Sequence, residues 1–240
     1  MKKRVIACML ALTMVFSVTA CGNDNKKDTK ETSKEEQQKD KDEKDVESED
    51  VDEAEDTDEE ETVTAERGTF DGNVYTNESM GFQATFPEGC TMYSDEEIQE
   101  VVGNGSDIME EAYDSDTIEN SLSGTIYDVI AVTADQTTNI QIVMEDTEVT
   151  AGRELTADEY AQAMTTNLKT AYKSAGIDVG EPEVTDATLG GMDFKVVSLS
   201  AGQMTQEYYA HKVGNYMLVF TMTYTDPTAV QEFLNSVTAL

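Results

Sequence analysis

The chain has 240 residues and a formal net charge of −34, with 16 lysines and arginines against 50 aspartates and glutamates. That balance excludes a nucleic-acid-binding protein, because a phosphate backbone is held by basic patches. Three cysteines and one histidine leave little material for a disulfide framework or a nitrogen- and sulfur-ligated metal centre.

The first segment is an export signal. Lys2, Lys3 and Arg4 precede an uncharged run, Val5 to Ala20, and small residues sit just before Cys21. The run is 16 residues, short of the roughly 20 that a permanent membrane span needs. Val18, Thr19, Ala20 and Cys21 together resemble the bacterial lipoprotein lipobox. The resemblance implies transfer of a diacylglyceryl group to the Cys21 thiol and cleavage after Ala20. Cys21 is then the lipidated N-terminus and the partner is the membrane, at the extracytoplasmic face. Two acyl chains suffice for stable anchoring, at about 0.8 kcal/mol per buried CH₂.

Residues 21–67 read as a tether. From 22 to 67 there is no proline and no aromatic residue, so the segment is expected to be disordered. It is a diblock: seven lysines against eight acids over 22–44, then thirteen acids and no base over 45–66. Lysines near an anionic surface are attracted to it, whereas the acidic block is repelled. A flexible chain of this length averages about 40 Å end to end, and self-repulsion lengthens it. The pattern predicts a spacer that holds the domain off the membrane; a calcium-buffering or partner-binding tail is the other reading.

Residues 68–240 are expected to form one domain, since they hold all ten tyrosines and six of the seven phenylalanines. "VYTNESMGFQATFPEGC" reads as a hairpin ended by Pro87. Ser94 and Glu97 form a capping box opening a helix through Ile98, Val101 and Val102. Residues 103–120 read as loop with a short helix around Ile108 and Met109. Strands follow at 125–134, apolar apart from Asp128, and at 139–145, joined by "DQTT". Thr156 and Glu159 form a second capping box; Tyr160, Met164, Leu168 and Tyr172 then recur at helical spacing, and Gly176–Ile177 is a Schellman stop. Strands at 182–189, 192–200, 204–213 and 216–225 form a meander with glycine turns. Asp226 as N-cap and Pro227 at the first position open a last helix. Hairpins dominate, so the fold class is α+β, a mostly antiparallel sheet with helices packed on it.

"YTNESMGFQATFPEGC" is similar to the opening of PsbP-like domains, and "YYAHKVGNYMLVFTMTY" with its following helix is similar to their close. Cys90 stands where a tryptophan often follows the Pro-x-Gly. The resemblance implies an α-β-α sandwich and no particular activity.

The chemistry is sparse. The domain carries 29 acids and five bases, so no phosphate-binding loop is expected. His211 alone cannot build a zinc site. "DSDTIEN" at 114–120 begins like a calcium loop but has Ile118 where an oxygen ligand belongs. Cys90, with no histidine near it in sequence, reads as a partly buried small side chain. The expectation is no catalytic, metal or cofactor site. The chain reads as a non-enzymatic binding or interaction module with a protein or small-molecule partner. A solute-binding lipoprotein is the alternative, and an enzyme with a dispersed acidic site comes third. A groove between sheet and helix is the place for a small ligand.

Overall fold

The computed structural model describes residues 63–110 and 112–240. The export segment, Cys21 and the acidic run to residue 62 lie outside the described residues. In chain order the strands are β1 (Thr69–Asp71), β2 (Val74–Asn77), β3 (Phe82–Thr85), β4 (Thr91–Met92), β5 (Thr125–Val132) and β6 (Thr138–Asp146). They continue as β7 (Glu183–Leu189), β8 (Met192–Ala201), β9 (Met204–Val213), β10 (Tyr216–Tyr224) and β11 (Thr238–Ala239). The helices are α1 (Asp95–Met109), α2 (Ser115–Ser123), α3 (Thr147–Ala151), α4 (Ala157–Ser174) and α5 (Thr228–Ser236).

Two antiparallel sheets result. The larger has the order β4-β5-β6-β10-β9-β8-β7, the smaller β1-β2-β3-β11. β10 is the central strand, and strand alternation gives it two chemically different faces. Leu218, Phe220 and Met222 pack with Phe82 and Phe86 of the small-sheet layer and with Phe233 of α5. Phe220 is the hub, with ring centroids 5.1 Å from Phe82 and 5.4 Å from Phe194. On the opposite face, Met217 and Val219 share a cluster with Tyr160, Met164, Leu168 and Tyr172 of α4. The α+β class and the antiparallel sheet expected from the sequence are what the chain adopts. Helices cover both faces, and the small sheet lies beside α5. No helix among the described residues is long and apolar enough to cross a membrane.

Both capping boxes form, Ser94 with Glu97 and Thr156 with Glu159. The Schellman stop forms as well: Gly176 has φ 68°, and Ile177 N–H donates to Tyr172 O at 2.9 Å.

Four details differ from the sequence reading. α1 runs on through Gly103 and Gly105 to Met109, whose side chain is buried against Ile118 and Tyr160 in the helix-side core. That burial outweighs the roughly 1 kcal/mol each glycine costs a helix. Second, 115–123 is helical. Asp114 is its N-cap and accepts from Thr117 N–H at 2.9 Å, so the calcium-like start of "DSDTIEN" is a helix cap. Third, the cap of α5 falls on Pro227; Asp226 still accepts from Thr228 N–H at 2.8 Å. Fourth, contacts with the domain begin at Val63, ahead of residue 68. Val63 and Ala65 pack on the small-sheet core, and Val63 N–H donates to Asn215 Oδ1 at 3.3 Å.

Candidate functional site

The two buried carboxylates, Asp128 and Glu145, are both engaged by the fold. Asp128 sits at a bulge in β5, where the register with β6 shifts, and is 6% exposed. Its carboxylate accepts from the Tyr75 hydroxyl, from Gly68 N–H at 3.0 Å and from Arg67 Nε at 3.1 Å. Arg67 also donates to Asp95 at 2.6 Å and to the Asp128 carbonyl at 2.8 Å. Gly68 has no room for a side chain: an added Cβ would lie 2.4 Å from the Tyr75 phenol. These residues form a clip that lays 66–68 across β2 and β5. Burial first, and then the Asp128 charge, push the Tyr75 hydroxyl far above its ordinary range, so it stays a donor. Glu145, fully buried on the helix side, accepts from the Tyr160 hydroxyl at 2.6 Å. Burial and then the Glu145 charge raise Tyr160 in the same way.

The residues weighed as chemical in the sequence have structural surroundings. Cys90 packs at the edge of the small-sheet core, and burial with the Glu232 charge pushes its thiol up, away from the reactive thiolate. His211 Nδ1 lies 2.7 Å from the Asp193 carbonyl, and its ring stacks 5.1 Å from Phe194. Among the described residues no three histidine, cysteine, aspartate or glutamate side chains converge as metal ligands. Cys21 lies outside the described residues.

The candidate site is a cavity of about 240 Å³ at one end of the large sheet. It lies where β5 ends, β6 begins, β9 begins and β10 ends. Eleven residues line it, five of them threonines, and none carries a charge at neutral pH. Tyr93 stands at its edge, its N–H fixed to the Ile130 carbonyl at 2.9 Å. Burial and then Glu97 raise its hydroxyl, which keeps it protonated. Val132, Met204 and Ala134 supply apolar wall.

The floor comes from cross-strand pairing. Asn139 pairs with Thr223, and Thr223 with Gln206. Gln206 Nε2 donates to Thr223 Oγ1 at 3.0 Å, and the Tyr172 hydroxyl of α4 donates to Gln206 Oε1. Gln141 Nε2 donates to Asn139 Oδ1 at 2.8 Å. One row further in, Thr221 is fully buried and its hydroxyl has no hydrogen-bond partner. A buried unsatisfied hydroxyl costs about 1–3 kcal/mol. Thr221→Val keeps the shape and is expected to raise Tm by about 2 °C or more, measured by calorimetry. A lower Tm would show that the hydroxyl is bonded after all.

A second hollow, of about 430 Å³, runs between α1 and β5 over Ile98, Val102, Leu122 and Tyr127.

The sequence reading did not single out the cavity residues. The signal lay in 139–145: placing Ile140, Ile142 and Met144 on one face leaves Asn139 and Gln141 on the other. Both faces are buried, so those amides form a polar strip under the helices.

Neither a protein-family model nor a curated protein matches the chain. Among solved structures it is similar to cyanobacterial PsbP (CyanoP) from Synechocystis sp. PCC 6803, determined in solution. Identity is 11%, over 70% of this chain and 91% of that one, with a TM-score of 0.42. It is also similar to a protein of Bacteroides thetaiotaomicron VPI-5482 solved at 1.50 Å, at 11% identity over 67% of this chain and 45% of that one. There the TM-score is 0.32.

Proposed function

We propose that this chain is a lipid-anchored, extracytoplasmic binding module and not an enzyme. Cys21 carries the lipid, the acidic tether holds the domain off the bilayer, and the domain captures a partner. One observation supports binding over turnover: the distribution of polar groups. The buried carboxylates Asp128 and Glu145 are held by tyrosine hydroxyls, whereas the open cavity presents neutral donors and acceptors. General acid–base catalysis needs a titratable group within reach of the substrate, with its pKa near the working pH. Of the lining side chains only Tyr93 titrates, and its hydroxyl is shifted the wrong way for a base.

Cys21→Ala is expected to abolish incorporation of labelled fatty acid and to move the full-length protein from the membrane to the soluble fraction. A variant that stays labelled and membrane-bound overturns the anchor. Turnover of substrates from a broad hydrolase panel by the purified protein, lost on His211→Ala, overturns the binding reading.

A further inference from the structure

We infer that the cavity at the β5–β6 turn binds a small, neutral, polyhydroxylated ligand of monosaccharide size, and that Gln136 is the residue that selects it. The inference rests on the binding-module reading and names its ligand class.

Charge narrows the class first. The domain carries 29 acids and five bases, yet none of the eleven lining residues is charged. An anion is repelled by the surrounding field and finds no cation in the cavity. A cation is drawn to the surface, but no lining side chain carries a counter-charge, and the Asp135 carboxylate beside the lining accepts from Thr133 Oγ1 at 2.7 Å and from Thr137 Oγ1 at 2.9 Å. A neutral ligand is indifferent to both.

Hydrogen-bonding capacity narrows it further. Thr223 accepts from Gln206, so its hydroxyl proton is left to donate. Asn139 donates one amide hydrogen to the Ala131 carbonyl at 3.3 Å and keeps the second. Thr91 and Tyr93 add hydroxyls at the rim. A purely apolar occupant would leave these groups unpaired, which is strongly unfavourable. Val132, Met204 and the Tyr93 ring meanwhile offer apolar surface to C–H faces. A ring with hydroxyls at its edge and C–H bonds on its faces uses both. The volume, below the roughly 300–1,000 Å³ of drug-sized sites, limits the ligand to one such ring.

Gln136 is the independent observation. Its φ is 58°, and it is the only non-glycine residue with positive φ among the described residues. Its backbone N–H donates to the Thr133 carbonyl at 2.8 Å, a bond glycine would make equally well. Its side chain is exposed at the β5–β6 turn, makes no hydrogen bond to another described residue, and lines the cavity. The fold therefore bears a strained backbone for a side chain that the fold does not use. Such strain persists at ligand sites.

The test uses full-length protein and Gln136→Gly. Titration calorimetry is run with glucose, N-acetylglucosamine, gluconate as the anionic control and cyclohexanol as the apolar control. The expected result is saturable binding of a neutral sugar that does not change with salt, and no saturation with either control. Gln136→Gly is expected to raise the Tm of the free protein by about 2–4 °C while weakening the sugar about tenfold. Unchanged sugar affinity, or a lowered Tm, overturns the role of Gln136. Saturation by gluconate or cyclohexanol alone overturns the ligand class and leaves the binding-module reading standing. Saturation by none of the four overturns the inference, while the anchor is judged separately through Cys21→Ala.

Discussion

Raised above its neutral working range, the domain is expected to unfold cooperatively between about pH 11 and 12, driven by its buried tyrosines. Tyr75, Tyr160, Tyr172 and Tyr208 are each 0–1% exposed, and burial is the leading cause that raises every one of their hydroxyls. A phenol in an unfolded chain ionises near pH 10. Below that pH both states keep the proton and stability is undiminished. Above it the unfolded chain releases protons that the folded chain holds, so stability falls by about 1.4 kcal/mol per pH unit for each such phenol. Four of them remove about 5 kcal/mol per unit, against a total of about 5–15 kcal/mol for a domain. Tyrosinate absorbance and far-ultraviolet circular dichroism, followed together, check this. The four phenols should ionise only as the secondary structure is lost. Ionisation near pH 10 with the dichroism intact would show that they are accessible.

Asp128→Ala is the single substitution expected to do most damage. The carboxylate accepts from Tyr75, Gly68 and Arg67, and its side chain is 3% exposed. Its removal leaves a buried phenol hydroxyl, a backbone N–H and part of a guanidinium without their acceptor. Each buried group left unsatisfied costs about 1–3 kcal/mol, so the hydroxyl and the N–H together cost about 4 kcal/mol, or roughly 10 °C in Tm. The guanidinium keeps Asp95 at 2.6 Å, but that partner is exposed and contributes little. Hydrogen exchange adds a local signature, with the Gly68 amide losing protection before β6 or β10 does. A Tm within about 2 °C of the parent would mean that the clip is incidental.

The sequence was legible where a structure-forming rule is local. Two capping boxes, the Schellman stop at Gly176 and the glycine turns of the meander each involve residues within six positions of one another, and all formed. It was opaque where a residue answers to a distant one. Asp128 read as the exception in an apolar strand because its partners Tyr75 and Arg67 lie 53 and 61 residues away. β4 and β11 are two residues each and exist only through pairing with β5 and β3. The helix through Gly103 and Gly105 has poor intrinsic propensity and is held by burial of Met109. Gln136 was hidden for another reason. A left-handed turn position is announced by glycine or asparagine, and this one carries neither.

The place of β10 in the sheet bears on how the protein is made. Among the described residues it is the only strand that joins β4-β5-β6 on one side to β9-β8-β7 on the other. Until residues 216–224 are synthesised, those are two separate half-sheets with their inner edges open. The stitches that finish the domain reach as far: Val63 to Asn215 spans 152 residues, and Thr85 to Ser236 spans 151. Contacts so distant in sequence make folding slow and late. A nascent chain therefore cannot join its two half-sheets until its central strand has emerged.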